Sequence, residues 1–153
     1  MDDPFYKATI NYLSFRPRSI KEVKNYLHKK NVPEETSSTI ISFLQKQKFL
    51  DDTAFARMWI HARTVGKPKS LSFIKQELSE KGVSEEVITK VVAELHEEIK
   101  GDLEQAIVLL EKKIKQYAAL ERDILYRRAG GYLARRGFSF TIIRKSIDQV
   151  FQK

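Results

Sequence analysis

The sequence contains no cysteine and only three histidines. The absence of cysteine excludes disulfides, thiolate nucleophiles and sulfur-ligated metal sites, and it suits a reducing cytoplasm. His28, His61 and His96 are scattered, and none lies one helical turn from another. A metal site would need distant carboxylates to converge on one of them. We therefore expect no metal and no other cofactor.

Long apolar runs are also missing. No stretch approaches the ~20 residues that a membrane-spanning helix requires. The opening MDDPFYKATINYL is acidic and has no long apolar segment, so we expect no secretory signal. Gly130-Gly131 lacks the Lys-Ser/Thr that follows in a phosphate-binding loop. Asp51 and Asp52 are adjacent, so they would not face each other on a helix, and capping explains them better than catalysis. These absences favour a cytoplasmic protein that is not an enzyme.

Charge is unevenly distributed along the chain. The net charge is +8 over 153 residues. Residues 1–50 carry nine basic and five acidic side chains (+4), residues 51–101 carry eight and nine (−1), and residues 102–153 carry eleven and six (+5). Six basic residues and no acid lie between Arg127 and Lys145. This pattern predicts a polyanionic partner that contacts the two ends of the chain.

A twenty-residue segment occurs twice. RPRSIKEVKNYLHKKNVPEE (16–35) and KPKSLSFIKQELSEKGVSEE (67–86) are identical at eight positions. In the first copy the apolar residues Ile20, Val23 and Leu27 have the i, i+3, i+7 spacing of an amphipathic helix face, and the second copy keeps this spacing. The repeat therefore indicates a recurring helical unit.

Capping residues mark the ends of these helices. Ser19 with Glu22 predicts a capping box, and Ser70 predicts a second N-cap that has Phe73 at the box position. At the far ends, Asn31 and Gly82 suit a left-handed C-cap. Acidic pairs then open a further helix in each copy, and Asp52 is predicted to cap the helix at 51–64 that contains Phe55 and Trp59.

A weaker third copy extends the pattern to the end of the chain. Arg136-Gly137-Phe138 matches Lys81-Gly82-Val83, and one more helical stretch precedes each pair, at about 4–14, 51–64 and 102–117. No segment alternates between apolar and polar residues over a strand's length. We therefore predict an all-α fold of three tandem three-helix repeats, at 1–50, 51–100 and 101–153. Such repeats stack into an elongated array that suits extended partners.

Basic residues at the helix entries and in the third repeat are the candidate contacts. Lys21 and Lys24 lie on one polar face, and Arg128, Tyr132 and Arg135 have i, i+4, i+7 spacing, so arginines could pair phosphates while a ring stacks on a base. The alternatives are a solvated face, a partly buried Tyr132 and a core role for Trp59. The candidate set is Arg16, Arg18, Lys21, Lys24, Lys67, Lys69, Arg127, Arg128, Tyr132, Arg135, Arg136, Arg144 and Lys145.

Three segments carry a resemblance to a known family. They are YLSFRPRSIKEVKNYL (12–27), FLDDTAFARMWIHAR (49–63) and KSLSFIKQELSEKGVSEEVI (69–88). Together with the small basic chain, they resemble the RecX family of recombinase regulators, strongly through residue 95 and loosely beyond it. The loop TVGKPKS after Arg63 differs in sequence from the corresponding loop of many family members.

The resemblance implies a curved array of three-helix repeats that binds the RecA recombinase and its nucleoprotein filament. It also implies a protein that contacts single- or double-stranded DNA and inhibits the ATPase and strand exchange. We further expect a monomer that acts in recombination, repair and the SOS response. Carried over to this sequence, it makes Arg16, Arg18, Lys21 and Lys24 contacts in the first motif and Lys67 and Lys69 contacts in the second. The alternative is a helical DNA-binding module without a recombinase partner.

Overall fold

A computed structural model describes residues 3–64, 69–96 and 101–152. Within these ranges the chain forms ten helices and no strand, so the predicted all-α class is confirmed. The helices are α1 (Pro4–Phe15), α2 (Ile20–Lys29), α3 (Glu34–Lys46), α4 (Asp52–Thr64), α5 (Leu71–Glu80), α6 (Glu85–Glu94), α7 (Asp102–Glu111), α8 (Ile114–Tyr117), α9 (Arg122–Ala134) and α10 (Phe140–Phe151).

The chain folds into two compact units, each with its own apolar core. Unit 1 comprises Met1–Trp59 and Leu78–Val91, and unit 2 comprises Ile60–Glu77 and Val92–Lys153. In unit 1, α2 and α3 pack their apolar faces around Leu27 and Leu44, which are almost wholly buried. In unit 2, α10 packs on α7 and α9. The boundaries at residues 50 and 100 remain a prediction.

The third group of helices differs from the prediction of one continuous helix over 102–117. The helix stops at Glu111, and a four-residue helix, α8, follows. Glu111, Lys112 and Lys113 are consecutive charged residues that offer no apolar anchor, and the backbone leaves the helical region at Lys113 (φ −109°, ψ 7°). The chain then turns so that Tyr117 enters the core of unit 2.

The predicted caps are present, with one correction. Ser19 and Glu22 form the capping box, and the Ser70 hydroxyl accepts the N–H of Phe73. Asn31 (φ 59°) and Gly82 (φ 83°) adopt the left-handed conformation that ends the preceding helix. The correction concerns α4, because its N-terminal N–H groups are accepted by Asp51.

Asp52 caps a different helix from the one predicted. Its Oδ1 accepts the N–H of Ile20, the first residue of α2, at 2.9 Å. The Ser19 hydroxyl donates to the carbonyl of Lys81 at 2.7 Å and accepts the N–H of Glu22 at 3.2 Å. We call this arrangement, which joins α2 to α4 and to the end of α5 within unit 1, the Ser19 joint. Because the buried hydroxyl both donates and accepts, its desolvation cost is offset.

A matching arrangement, the Ser70 joint, lies within unit 2. Asp102 Oδ1 accepts the N–H of Leu71, the first residue of α5, at 2.8 Å. The Ser70 hydroxyl donates to the carbonyl of Gly137 at 2.8 Å. Like Gly82, Gly137 has a positive φ (87°). A Cβ on Gly137 would lie 2.7 Å from Cβ of Phe73, so both the backbone angle and the close packing require glycine.

Candidate partner and nucleic-acid interface

Two of the predicted contact residues have structural partners in the Ser19 joint. The Arg16 guanidinium forms an ion pair with Glu22, which also receives the N–H of Ser19 at 3.1 Å. The Lys21 ammonium donates to the carbonyl of Glu80 at 3.1 Å. Arg16 and Lys21 therefore hold the helix entry in place. Whether they also contact a partner stays a prediction.

The pKa values of the two carboxylates of this joint, Glu22 and Asp52, are shifted in opposite directions. Burial raises the pKa of Glu22, but hydrogen bonds from Arg16 and the Ser19 N–H, with the charges of Arg16 and Lys81, outweigh burial and hold that pKa below its ordinary value. Burial also raises the pKa of Asp52, and its hydrogen bond from the Ile20 N–H only partly offsets this effect. The joint thus favours an ionised Glu22 and penalises an ionised Asp52.

Arg18 is part of a stack of side chains on unit 1. Its guanidinium carbon lies 4.0 Å from the centroid of the Tyr12 ring, and Tyr12 stacks on Tyr26 with centroids 4.2 Å apart and planes 6° from parallel. Lys30 lies over Tyr26 at 5.7 Å. This stack orders the side chain of Arg18 against α1, which leaves only part of it exposed to a partner.

Lys24 is exposed beside a shallow groove between α2 and α3. The groove has a volume of about 430 Å³ and is lined in part by Lys24, His28, Ser37 and Glu34. Lys24 and His28 are one helical turn apart, as their spacing predicts. Glu34 places a negative charge in the same groove, so this groove is less basic than the sequence pattern alone suggests.

The second repeated segment is partly described. Lys67 lies outside the described residues. The Lys69 ammonium lies 4.2 Å from the centroid of the Phe73 ring, which packs against Gly137 in the Ser70 joint. Lys69 therefore lies at the edge of this joint, as Arg16 does in the Ser19 joint.

Tyr132 is enclosed by cations in unit 2. The Arg136 guanidinium carbon lies 4.2 Å from the ring centroid and the Lys113 ammonium lies 5.1 Å from it. The ring also packs against the core of unit 2, so Tyr132 is partly buried, which is the alternative that the sequence left open, and its role as a contact residue stays a prediction. With its ring already in contact with two cations, Tyr132 is poorly placed to stack on a base.

The remaining predicted cations of unit 2 are exposed on α9, at its C-terminal end, and on α10. None of them pairs with an acidic side chain in the described part of the chain. Arg135 folds back over α9, where its Nη1 would lie 3.2 Å from a Cβ placed on Gly131. We refer to these exposed cations together as the exposed basic surface; they are Arg127, Arg128, Arg135, Arg144 and Lys145.

One exposed aromatic residue beside this surface was missed by sequence reasoning. Phe140, the first residue of α10, is 76% exposed, and the Arg144 guanidinium carbon lies 5.9 Å from its ring centroid. A signal was available, because Phe140 lies off the buried stripe formed by Ile143 and Ile147. Trp59, by contrast, is half-buried and stacks on buried Phe55 with centroids 5.5 Å apart.

The described residues offer neither a metal site nor a membrane-spanning helix. No cluster of three or more histidine, aspartate or glutamate side chains there has a geometry that could hold a metal ion. No helix in those ranges combines the length and apolar character needed to cross a membrane. The features that do stand out are two serine-centred joints and one exposed basic surface.

An all-helical chain with a repeated segment, matching serine-capped helix entries and exposed basic residues has the features of a helical-repeat protein. Models of three RecX domains match the chain: the first three-helix domain at residues 6–44, the second at 51–92 and the third at 101–147. Together they cover most of its length. The chain belongs to the RecX family.

Curated relatives and solved structures agree with this assignment. The chain is 36% identical over 146 residues to the regulatory protein RecX of Oceanobacillus iheyensis, covering 95% of this chain and 53% of that protein. It is 30% identical over 146 residues to that of Bacillus pumilus (95% and 55%), and 29% identical over 154 residues to that of Streptomyces lividans (96% and 81%). The chain thus spans about half the length of the first two relatives.

A crystal structure of RecX from Lactobacillus salivarius superposes with a TM-score of 0.78 at 25% identity, covering 97% of this chain and 96% of that chain. A second structure, of a regulatory protein RecX, gives a TM-score of 0.76 at 24% identity, covering 94% and 71%. The second likeness supports the fold alone.

Proposed function

We propose that this chain regulates the RecA recombinase, mainly by inhibition. In this proposal it binds in the helical groove of the RecA–DNA filament and limits ATP hydrolysis, filament growth and strand exchange without catalysing a reaction. The observation that carries the proposal is the match of three RecX domain models along the chain. The name regulatory protein RecX, borne by the relatives, supports a regulatory role.

The charge distribution supports a partner that contains nucleic acid. Arg127 and Arg128 lie on α9, Arg135 follows its last residue, and Arg144 and Lys145 lie on α10, all exposed to solvent. Arginine presents a planar fork of donors that matches phosphate, so an unpaired arginine cluster suits a phosphate backbone better than a lysine cluster would. This surface also supports the second candidate, a DNA-binding module that acts without a recombinase.

Titration of the chain into a RecA ATPase assay on single-stranded DNA separates these candidates. DNA binding by the chain alone is measured in parallel at two salt concentrations. Inhibition at concentrations that leave free DNA unbound supports the filament as the target. Inhibition that only follows DNA binding, with the steep salt dependence of counterion release, favours the simple DNA-binding module. No inhibition at saturating protein contradicts the proposed function.

A double variant tests the basic surface directly. Arg128→Glu with Arg135→Glu should weaken filament or DNA binding and leave the melting temperature nearly unchanged, because both side chains are exposed. The control is Lys7→Glu with Lys90→Glu, which changes the net charge equally at two exposed helix positions outside the predicted surface. Equal losses in both double variants would show a net-charge effect instead of a specific surface.

A further inference from the structure

Phe140 stands out among the exposed phenylalanines. Phe15 and Phe140 are 75% and 76% exposed, and single exposed apolar residues need no explanation by themselves. The two differ in the cation beside them. Arg16, next to Phe15, is paired with Glu22, whereas Arg144 contacts the Phe140 ring and has no acidic partner among the described residues.

The surroundings of Phe140 are basic. Phe140 and Arg144 are four residues apart on α10, so they occupy the same face of that helix, and exposed Lys145 adjoins them. The nearest acidic residue along the helix is Asp148, one turn beyond Arg144. At 5.9 Å the guanidinium lies near the outer limit of a cation–π contact, so it remains available to a ligand.

We propose that Phe140 and Arg144 form a stacking platform for an unpaired nucleic-acid base, and that Lys145 contacts the adjoining phosphate. An exposed aromatic face beside a planar guanidinium is the combination on which single-stranded nucleic acid stacks. In a duplex each base face is covered by its neighbours, so the platform selects single strands. This inference rests on the proposed function only for the presence of nucleic acid as a partner.

The test measures binding without recombinase, using a fluorescein-labelled oligothymidylate, an abasic strand of equal length and the corresponding duplex. Phe140→Leu keeps an apolar side chain but removes the flat ring, and it should weaken oligothymidylate binding roughly tenfold with no change in the salt slope. Phe140→Trp should retain binding. Neither variant should change the affinity for the abasic strand, which offers no base to stack.

Two further variants distinguish base stacking by Phe140 from the effect of a nearby charge and from the effect of any exposed aromatic ring. Lys145→Gln should reduce the salt slope on the single strand by about 0.7, the value for one lost phosphate contact. Phe15→Leu, at an equally exposed ring, should leave binding unchanged. Melting temperatures check that each variant is folded, which is expected because these side chains lie outside the cores.

The outcomes separate this inference from the proposed function. Phe140→Leu with unaltered oligothymidylate binding overturns the platform. If Phe140→Leu leaves oligothymidylate binding unaltered but no longer inhibits the recombinase, Phe140 instead contacts the recombinase protein. If Phe140→Leu weakens oligothymidylate binding while the original chain fails to inhibit RecA, the platform stands and the proposed function falls.

Discussion

Ser19 and Ser70 hold two joints that share hydrogen bonds but differ in the side chains around them. In both, a serine N-cap donates to a carbonyl in the turn that follows a later helix, and an aspartate from another helix accepts the next N–H. The Ser19 joint adds Glu22, which binds Arg16 and lies 3.7 Å from the Lys81 ammonium. The first joint is therefore reinforced by charge.

The Ser70 joint is reinforced differently. The position of Glu22 is taken by Phe73, whose Cβ packs on the left-handed turn at Gly137. Ser70 also makes a backbone hydrogen bond, its N–H donating to the carbonyl of Arg136 at 3.0 Å. The two joints therefore share the same serine and aspartate hydrogen bonds. The additional contacts are ionic in the Ser19 joint and apolar in the Ser70 joint. The two joints should therefore respond to different perturbations.

The largest expected effect is at the glycine turns. Gly137→Ala should lower the free energy of unfolding by about 2–4 kcal/mol, because alanine is strained at positive φ and its Cβ would clash with Phe73 and with the Ser70 hydroxyl. Gly82→Ala should lower the free energy of unfolding by a comparable amount, because its Cβ would clash with the Lys21 side chain. Urea unfolding followed by circular dichroism measures both losses.

Gly101 supplies the matched control for both variants. It has a negative φ (−60°), and a Cβ there would meet nothing within 4 Å. Gly101 is the N-cap of α7, where alanine is less favourable than glycine, so Gly101→Ala should cost at most about 1 kcal/mol. If the Gly82 and Gly137 variants unfold at the same urea concentration as the Gly101 variant, close packing at the joints is not what requires glycine.

The next largest effect is expected from Glu22, which has a counterpart of different chemistry, Phe73, in the Ser70 joint. Glu22→Gln should destabilise unit 1 by about 1–2 kcal/mol at low salt, because it removes the ion pairs of the Ser19 joint, and the loss should shrink at high salt. Trp59 is the only tryptophan and lies beside Lys81, 5.6 Å from its ammonium, so its fluorescence reports on this joint.

A second ion pair provides the control for Glu22. Glu77 pairs with Arg63 at 2.8 Å with similar side-chain exposure, but it lies outside both joints. Glu77→Gln should change stability by less than about 1 kcal/mol, as is usual for partly exposed pairs. If Glu22→Gln and Glu77→Gln reduced stability equally, the position of Glu22 in the capping box would not contribute to stability.

A smaller effect should be common to both joints. Asp52→Ala and Asp102→Ala should each cost about 1 kcal/mol, since each removes a side-chain cap from a helix N-terminus. Asparagine keeps an acceptor oxygen and removes a partly buried charge, so Asp52→Asn should be as stable as the original chain. Failure of asparagine to restore stability would show that the carboxylate charge is required.

How much of this could be predicted from the sequence depends on the range of the interaction. The helices, the Ser19 capping box and the left-handed turn at Gly82 were predictable because they depend on neighbours within a few residues. The bond from Ile20 to Asp52 spans thirty-two positions, and no local pattern distinguishes it from an ordinary cap. Of the exposed residues, the cations were predictable from charge. Phe140 was missed, although its position off the buried stripe of α10 was a signal, because apolar residues are assigned to cores by default.

The smallest expected effect is a difference in acid sensitivity within the Ser19 joint. The pKa of Glu22 is lowered in the folded state, so its contribution to stability is present above the ordinary glutamate pKa of about 4.3 and is lost as pH falls through the folded value. The pKa of Asp52 is raised, so its ionisation opposes folding at neutral pH, and this penalty is relieved as pH falls through the raised value.

The two carboxylates therefore oppose each other as the solution is acidified. Glu22→Gln should make the urea midpoint of Trp59 fluorescence less sensitive to acid, whereas Asp52→Asn should make it more sensitive, because each substitution leaves the other carboxylate uncompensated. The Asp102→Asn variant, in unit 2, should leave the pH profile of the Trp59 signal unchanged. If the urea midpoints of Glu22→Gln and Asp52→Asn depended on pH in the same way, the pKa values of Glu22 and Asp52 would not be shifted in opposite directions. The Ser19 joint would then be no more ionic in character than the Ser70 joint.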